Sequence, residues 1–211
     1  MRNSSLFYLK VFLFFVLVYY YKPILYGYEN FESNSNQLLP MSGSEPHFKP
    51  TYWDSPSFVK TNNCYAYFLN DIQSRYKKPQ PGDTKKNKNE TSQSNWKHRN
   101  SSNCSQTIER IQKDNPEIYK VSKNTPCKKG YYKGYLAIDP ERDYHFYRQD
   151  SNGLFSHKPG KNPVTSLDAS GNLIPDPELS DRNFKSLGYN YSESCGFLCV
   201  PDNNTSKTNS T

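Results

Sequence analysis

Asp143-Tyr-His-Phe-Tyr-Arg-Gln-Asp-Ser-Asn-Gly-Leu-Phe-Ser-His-Lys-Pro-Gly160 decides how the rest of the chain is read. It predicts a β-hairpin. Alternation sends Tyr144, Phe146 and Arg148 to one face and His145, Tyr147 and Gln149 to the other. Asp150-Ser-Asn-Gly153 has turn chemistry. Leu154 to His157 is the return strand, and Pro159-Gly160 ends it. Each strand carries a histidine, the side chain that titrates nearest neutrality, so both are candidates for proton chemistry.

Outward from the hairpin, the 211 residues suit one domain with tails. The hydrophobic fraction is only 34%, so the core must draw on the 18 Tyr and 12 Phe. Aromatic packing of that kind favours β-rich structure. The net charge of +7 is concentrated between Arg75 and Arg99. That charge belongs to one polar loop, with Tyr76 and Trp96 far apart in it and no stacking platform, which argues against nucleic acid as a partner.

Residues 1–27 contain an unbroken apolar run, Val11–Tyr21, closed by Lys22-Pro23. They read as a retained signal-anchor, with a cleaved signal peptide as the alternative. The first makes the protein a single-pass membrane protein with an exterior or lumenal domain. The second makes it secreted. Residues 28–50 form a polar stalk, 51–201 the domain, 83–103 a low-complexity basic insertion, and 202–211 a disordered tail. Within the domain, Tyr65, Phe68, Leu69 and Ile72 give a short amphipathic helix with Asn62 or Asn63 as its cap. Ser105 to Ile118 predicts a second helix, Gly130 to Ile138 a strand, and Asp168-Ala-Ser-Gly171 a turn. His47 and His98 lie in linker-like sequence and read as solvated.

Five cysteines (64, 104, 127, 195 and 199) leave one unpaired in an exported domain. Cys104 with Cys127, and Cys195 with Cys199, are the natural pairs. Cys64 is then the free thiol. A zinc site from Cys127, Cys195, Cys199 and a histidine is the metal alternative, but the preferred reading needs no cofactor. Asn89, Asn100, Asn103 and Asn190 open glycosylation sequons. A thiol at a helix start feels the helix dipole and is flanked by backbone N–H groups. A neighbouring imidazole can deprotonate it, and a further polar group can orient that imidazole. Cys64 is the candidate nucleophile, His145 the base and His157 the orienting group.

A Cys at a helix start, a His opening a later strand and a second His twelve residues on resemble the NlpC/P60 class of papain-like cysteine peptidases. The resemblance covers about residues 52–160. It implies a papain-like α+β fold, with a short Cys-bearing helix packed on a small antiparallel sheet. It also implies a Cys–His–His triad acting on a peptide or amide bond, and a Tyr about a dozen residues before the Cys that assists the oxyanion. Tyr52 occupies that position. The run Asn63-Cys64-Tyr65-Ala66 departs from the class pattern Asp-Cys-Ser-Gly. The blocks Asn-Cys-Tyr-Ala-Tyr and Ser-His-Lys-Pro-Gly are also similar to uncharacterised proteins of giant viruses and some bacteria. The competing expectation is a non-enzymatic, membrane-anchored surface protein on the same scaffold.

Overall fold

A computed structural model describes residues 38–72, 78–83 and 103–202. The expected anchor at 1–27, most of the basic insertion and the tail beyond Asp202 lie outside the described residues. Among the described residues the α-helices are α1 (Pro50–Trp53), α2 (Cys64–Phe68) and α3 (Cys104–Asp114). The strands are β1 (Tyr119–Val121), β2 (Tyr131–Asp139), β3 (Asp143–Gln149), β4 (Phe155–His157), β5 (Asn183–Phe184), β6 (Tyr189–Asn190) and β7 (Glu193–Pro201). Five of them form one antiparallel sheet in the order β1-β7-β2-β3-β4, and β5 pairs with β6. The fold class is α+β, as the sequence predicts.

The hairpin forms β3 and β4, with Tyr147 opposite His157 and Gln149 opposite Phe155. Asp150 closes its turn through the Gly153 N–H to Asp150 carbonyl bond at 2.8 Å. Gly153 has φ +84°, the left-handed backbone that glycine adopts without penalty. The two faces of β3 go where alternation sends them. Phe146 packs on Phe68 and Tyr65 of α2, with ring centroids 4.6 and 5.4 Å away. Tyr147 packs on Tyr135 of β2 and on His157 of β4. One aromatic layer therefore lies between the helices and the sheet, and a second lies on the far face. Gly134 on β2 lets α2 approach closely, because a Cβ there would lie 2.3 Å from the Phe68 ring.

Both helices near the sheet are capped by asparagine. Asn63 Oδ1 accepts from the Ala66 N–H, and Asn103 Oδ1 from the Gln106 N–H. The first helix is shorter than its apolar period predicts. Asn70, with φ +49°, takes the chain out of helical conformation before Ile72. The polar stalk also ends sooner than expected. Leu39 is buried in the far-face cluster, and Gln149 Nε2 donates to its carbonyl at 3.0 Å.

Cystine pairing differs from the sequential expectation. The bonds are Cys104–Cys195 and Cys127–Cys199. Both end on β7, tying the α3 start and the segment before β2 to the strand that lies between β1 and β2. Sequence proximity favours short loops, but the partners are set by where β7 lies after the sheet has formed. These bonds also take up the three cysteines of the zinc alternative. Among the described residues no helix is long and apolar enough to cross a membrane. The longest, α3, has 11 residues, against the roughly 20 that a span needs. The membrane and transmembrane-helix assignment is therefore corrected for the described chain.

Arg148 is fully buried and joins the parts together. Its guanidinium donates to Asp150 Oδ1 at 2.8 and 3.0 Å, to Asn70 Oδ1 at 2.9 Å and to the Tyr67 hydroxyl at 2.9 Å. It also lies 4.0 Å from the centre of the Tyr67 ring. Asp150 in turn accepts from Ser156 of β4. Replacing Arg148 by Met leaves the Asp150 carboxylate buried without its cation, an effect of about 3–5 kcal/mol. Urea unfolding of R148M should show a loss of that size, and a midpoint unchanged from wild type would refute the role given to Arg148.

Candidate active site

His145 and His157 come together. His145 Nε2 and His157 Nδ1 are 2.8 Å apart, and His157 Nε2 is 2.9 Å from the Leu167 carbonyl oxygen. A carbonyl only accepts, so His157 Nε2 carries a hydrogen. In a neutral ring His157 Nδ1 is then a lone pair. His145 must donate to it from Nε2, which leaves His145 Nδ1 as the free base. The chain of two bonds thus fixes both tautomers.

An aromatic box holds the base ring in place. Tyr191 stacks on the His145 imidazole at 4.9 Å and 25°, and Tyr147 meets it edge-on at 5.1 Å. Phe184 of β5 lies against both imidazoles. Burial, and then the neighbouring His157, hold His145 well below its ordinary 6.5. Burial lowers His157 to about 4, opposed by the bond to Leu167 and by Asp168. At neutral pH both rings are uncharged.

Cys64 opens α2 and is the free cysteine among the described residues, the other four being disulfide-bonded. Burial, and then the Asp143 carboxylate, push its thiol up to about 12. The N–H groups of Phe146, Tyr65 and Cys64 itself act in the opposite direction. The sulfur therefore meets β3 at the amide of Phe146, the residue next to His145. No hydrogen bond among the described residues joins it to either imidazole. Cys64 packs with Phe146 on the helix side of the sheet, whereas the His145 ring packs on the far side with Tyr191. The thiol is protonated and the imidazole neutral, and the two lie on opposite faces of β3.

Two other carboxyl and phenol groups bear on the site. Asp143, two residues before His145, is pushed up to about 6 by burial, while the Tyr191 hydroxyl and the Tyr144 N–H favour its ionised form. Tyr52 sits on α1, 54% exposed, with its ring edge-on to Phe58 at 5.5 Å. Its hydroxyl makes no hydrogen bond among the described residues. His47 is exposed, as expected, and its Nδ1 is 2.7 Å from Ser151 Oγ. His98 lies outside the described residues. Sequence reasoning missed Tyr191, Phe184 and Asp143. Asp143 and Tyr147 were legible as near neighbours of His145 on one strand. Tyr191 and Phe184 arrive from a distant loop and carry no local signal.

No family model matches the chain, and no solved structure matches it. A stretch of 65 residues is 43% identical to insoluble matrix shell protein 1 of Ruditapes philippinarum. The match covers 31% of this chain and 40% of that protein, less than half of either. That relative bears the name of a shell matrix protein. That name is not the name of a hydrolase, against the hydrolase and thiol-protease assignment made for this chain from its sequence.

Burial of neutral His157 has a consequence with a definite sign. Its folded pKa of about 4 lies below the unfolded value of 6.5. Between those values the unfolded chain binds more protons, so its contribution is present above pH 6.5 and lost as pH falls toward 4. The span is about 3 kcal/mol. Asp143 runs the other way: its folded pKa is raised, so its contribution is present below about 4 and lost as pH rises through about 6. Denaturation of wild type and His157→Asn across pH 7 to 4 separates the two. The wild type should lose stability more steeply, and parallel curves would refute a buried neutral His157.

Proposed function

We propose that the domain is a papain-like, NlpC/P60-type thiol enzyme that acts on an amide or peptide bond. The observation that carries this reading is the run from His145 Nε2 through His157 to the Leu167 carbonyl, which leaves His145 Nδ1 as an unprotonated base. That base lies one residue from the amide against which the chain's free thiol rests. Cys64 Sγ attacks the carbonyl carbon while its proton passes to His145 Nδ1, a transfer that requires β3 to move so that the thiol on its helix face and the imidazole on its far face come within reach. The C–N bond then breaks, and the amine leaves with that proton. Water, or another nucleophile, releases the acyl group from sulfur. His157 holds the tautomer and shares the charge that His145 gains.

The N–H groups of Cys64 and Tyr65 are the donors for the oxyanion. Tyr52 would join them only by a movement of α1, since its ring now packs on Phe58. With a thiol near 12 and a base well below 6.5, the resting pair stays neutral. Proton transfer then accompanies attack rather than preceding it, so substrate must enter before the nucleophile forms. Two disulfides suit an oxidising compartment, which supports secretion.

A second reading is favoured by one observation, the likeness to a shell matrix protein. The domain is then a disulfide-braced component of an extracellular matrix in which Cys64 is a buried core residue. Labelling with a neutral electrophilic thiol probe separates the two. The enzyme reading expects Cys64 to react, with the rate falling at least about tenfold in His145→Ala, and no labelling in Cys64→Ala. A native protein that resists the probe until it is unfolded would refute the enzyme reading.

A further inference from the structure

No molecule reaches the histidine pair without displacing part of its cover, because His145 and His157 are 3% and 0% exposed. Most of that cover is firmly fixed. The imidazoles stand on β3 and β4, which are paired within the five-stranded sheet. Residues 165–174 are fastened to β4 in turn. His157 N–H donates to the Thr165 carbonyl at 2.8 Å, Thr165 N–H to the His157 carbonyl at 2.9 Å, and Phe155 N–H to the Ile174 carbonyl at 2.7 Å.

The β5–β6 ribbon, residues 183–190, is held differently. Phe184 lies 5.7 Å from the His157 ring and 6.4 Å from the His145 ring, and so covers both. Yet none of residues 183–190 is buried, and Lys185 to Gly188 are exposed. The ribbon's own ladder is two residue pairs, Asn183 with Asn190 and Phe184 with Tyr189. The β2–β3 turn fastens its outer end. Arg142 Nη1 donates to the Gly188 carbonyl at 2.9 Å, and Asp139 Oδ2 accepts from the Asn190 N–H at 2.9 Å. Its root is clamped on both sides: Tyr191 N–H donates to the Arg182 carbonyl, and Arg182 Nε to the Tyr191 carbonyl, each at 3.1 Å. A firm root, a two-bond latch and little apolar burial are the properties of a segment that opens locally while the rest stays folded.

Two polar atoms oppose the closed position. Asn183 Oδ1, on the ribbon, and the Tyr147 hydroxyl, whose ring packs on both imidazoles, are buried without a hydrogen-bond partner among the described residues. Water reaching them on opening removes the cost of leaving a buried polar group unpaired.

We propose that the β5–β6 ribbon is a lid over the histidine pair, latched by Arg142 and Asp139, and that its opening admits substrate to His145. This rests on the reading of His145 as the base. Diethyl pyrocarbonate, an uncharged reagent, acylates unprotonated imidazole nitrogens, and mass spectrometry reads the product residue by residue. In full-length protein with its disulfides intact, exposed His47 serves as the internal reference. The rate at His145 relative to His47 should rise about threefold to tenfold in Arg142→Gln, which removes one latch bond. Gly188→Ala should raise it too and keeps the cation. A Cβ there would lie 3.2 Å from Arg142 Nη1, on a backbone with φ +77°.

Hydrogen exchange of β2 should be unchanged in both variants. A ratio equal in wild type and both variants overturns the lid, as does a rise that β2 exchange matches, which marks global unfolding. Reactivity of Cys64 toward its probe separates the two readings. A reactive Cys64 with an unmoved ratio overturns the lid and leaves the thiol chemistry in place. A raised ratio with an inert Cys64 sustains the lid over the imidazoles and overturns the thiol chemistry.

Discussion

The buried guanidinium of Arg148 is the interaction on which the arrangement depends. It leaves the helix-facing side of β3, reaches the Tyr67 hydroxyl and Asn70 at the end of α2, and closes back on Asp150 in the hairpin turn. Asp150 holds Ser156, the residue before His157. One cation thus ties the Cys64 helix to both histidine strands. Burial raises Asp150 despite the cation beside it, so the pair is not a large net source of stability. Its effect is to specify geometry. A shift of β3 by one residue would place Arg148 on the far face and turn His145 toward the helix, away from His157 on β4.

The same strand separates two environments. Its helix side is an aromatic core of Phe146, Phe68 and Tyr65, in which Cys64 is embedded. Its far side holds the imidazoles against Tyr147, Tyr191 and Phe184. Both settings favour uncharged forms, which is why the thiol is raised and the histidines lowered. A thiolate–imidazolium pair would need charge in both places at once. The fold instead keeps the components neutral and the base tautomer fixed.

The hairpin and the capped helix were legible because their signals are local. Alternation from Tyr144 to Gln149, the Asp-Ser-Asn-Gly turn and the asparagine before Cys64 each act within a few residues. Cysteine parity pointed to one free thiol, and Cys64 is free. The partners of the other four were not legible, since both bonds depend on where β7 inserts, 91 and 72 residues from its partners. Arg148 and Lys158 were not legible as buried, because cations are ordinarily found at the surface. Tyr191 was visible only as part of an aromatic segment, and its stacking on His145 follows from the β5–β6 pairing, which no periodicity in the sequence encodes.

The central claim is that Leu167, through His157, fixes His145 with its Nδ1 unprotonated. Long-range 1H–15N correlation of the imidazole nitrogens at neutral pH tests this directly. The structure predicts that both rings are neutral, both are protonated at Nε2, and His145 Nδ1 has the shift of a free lone pair. A His145 ring protonated at Nδ1, or an imidazolium at either position, would contradict it.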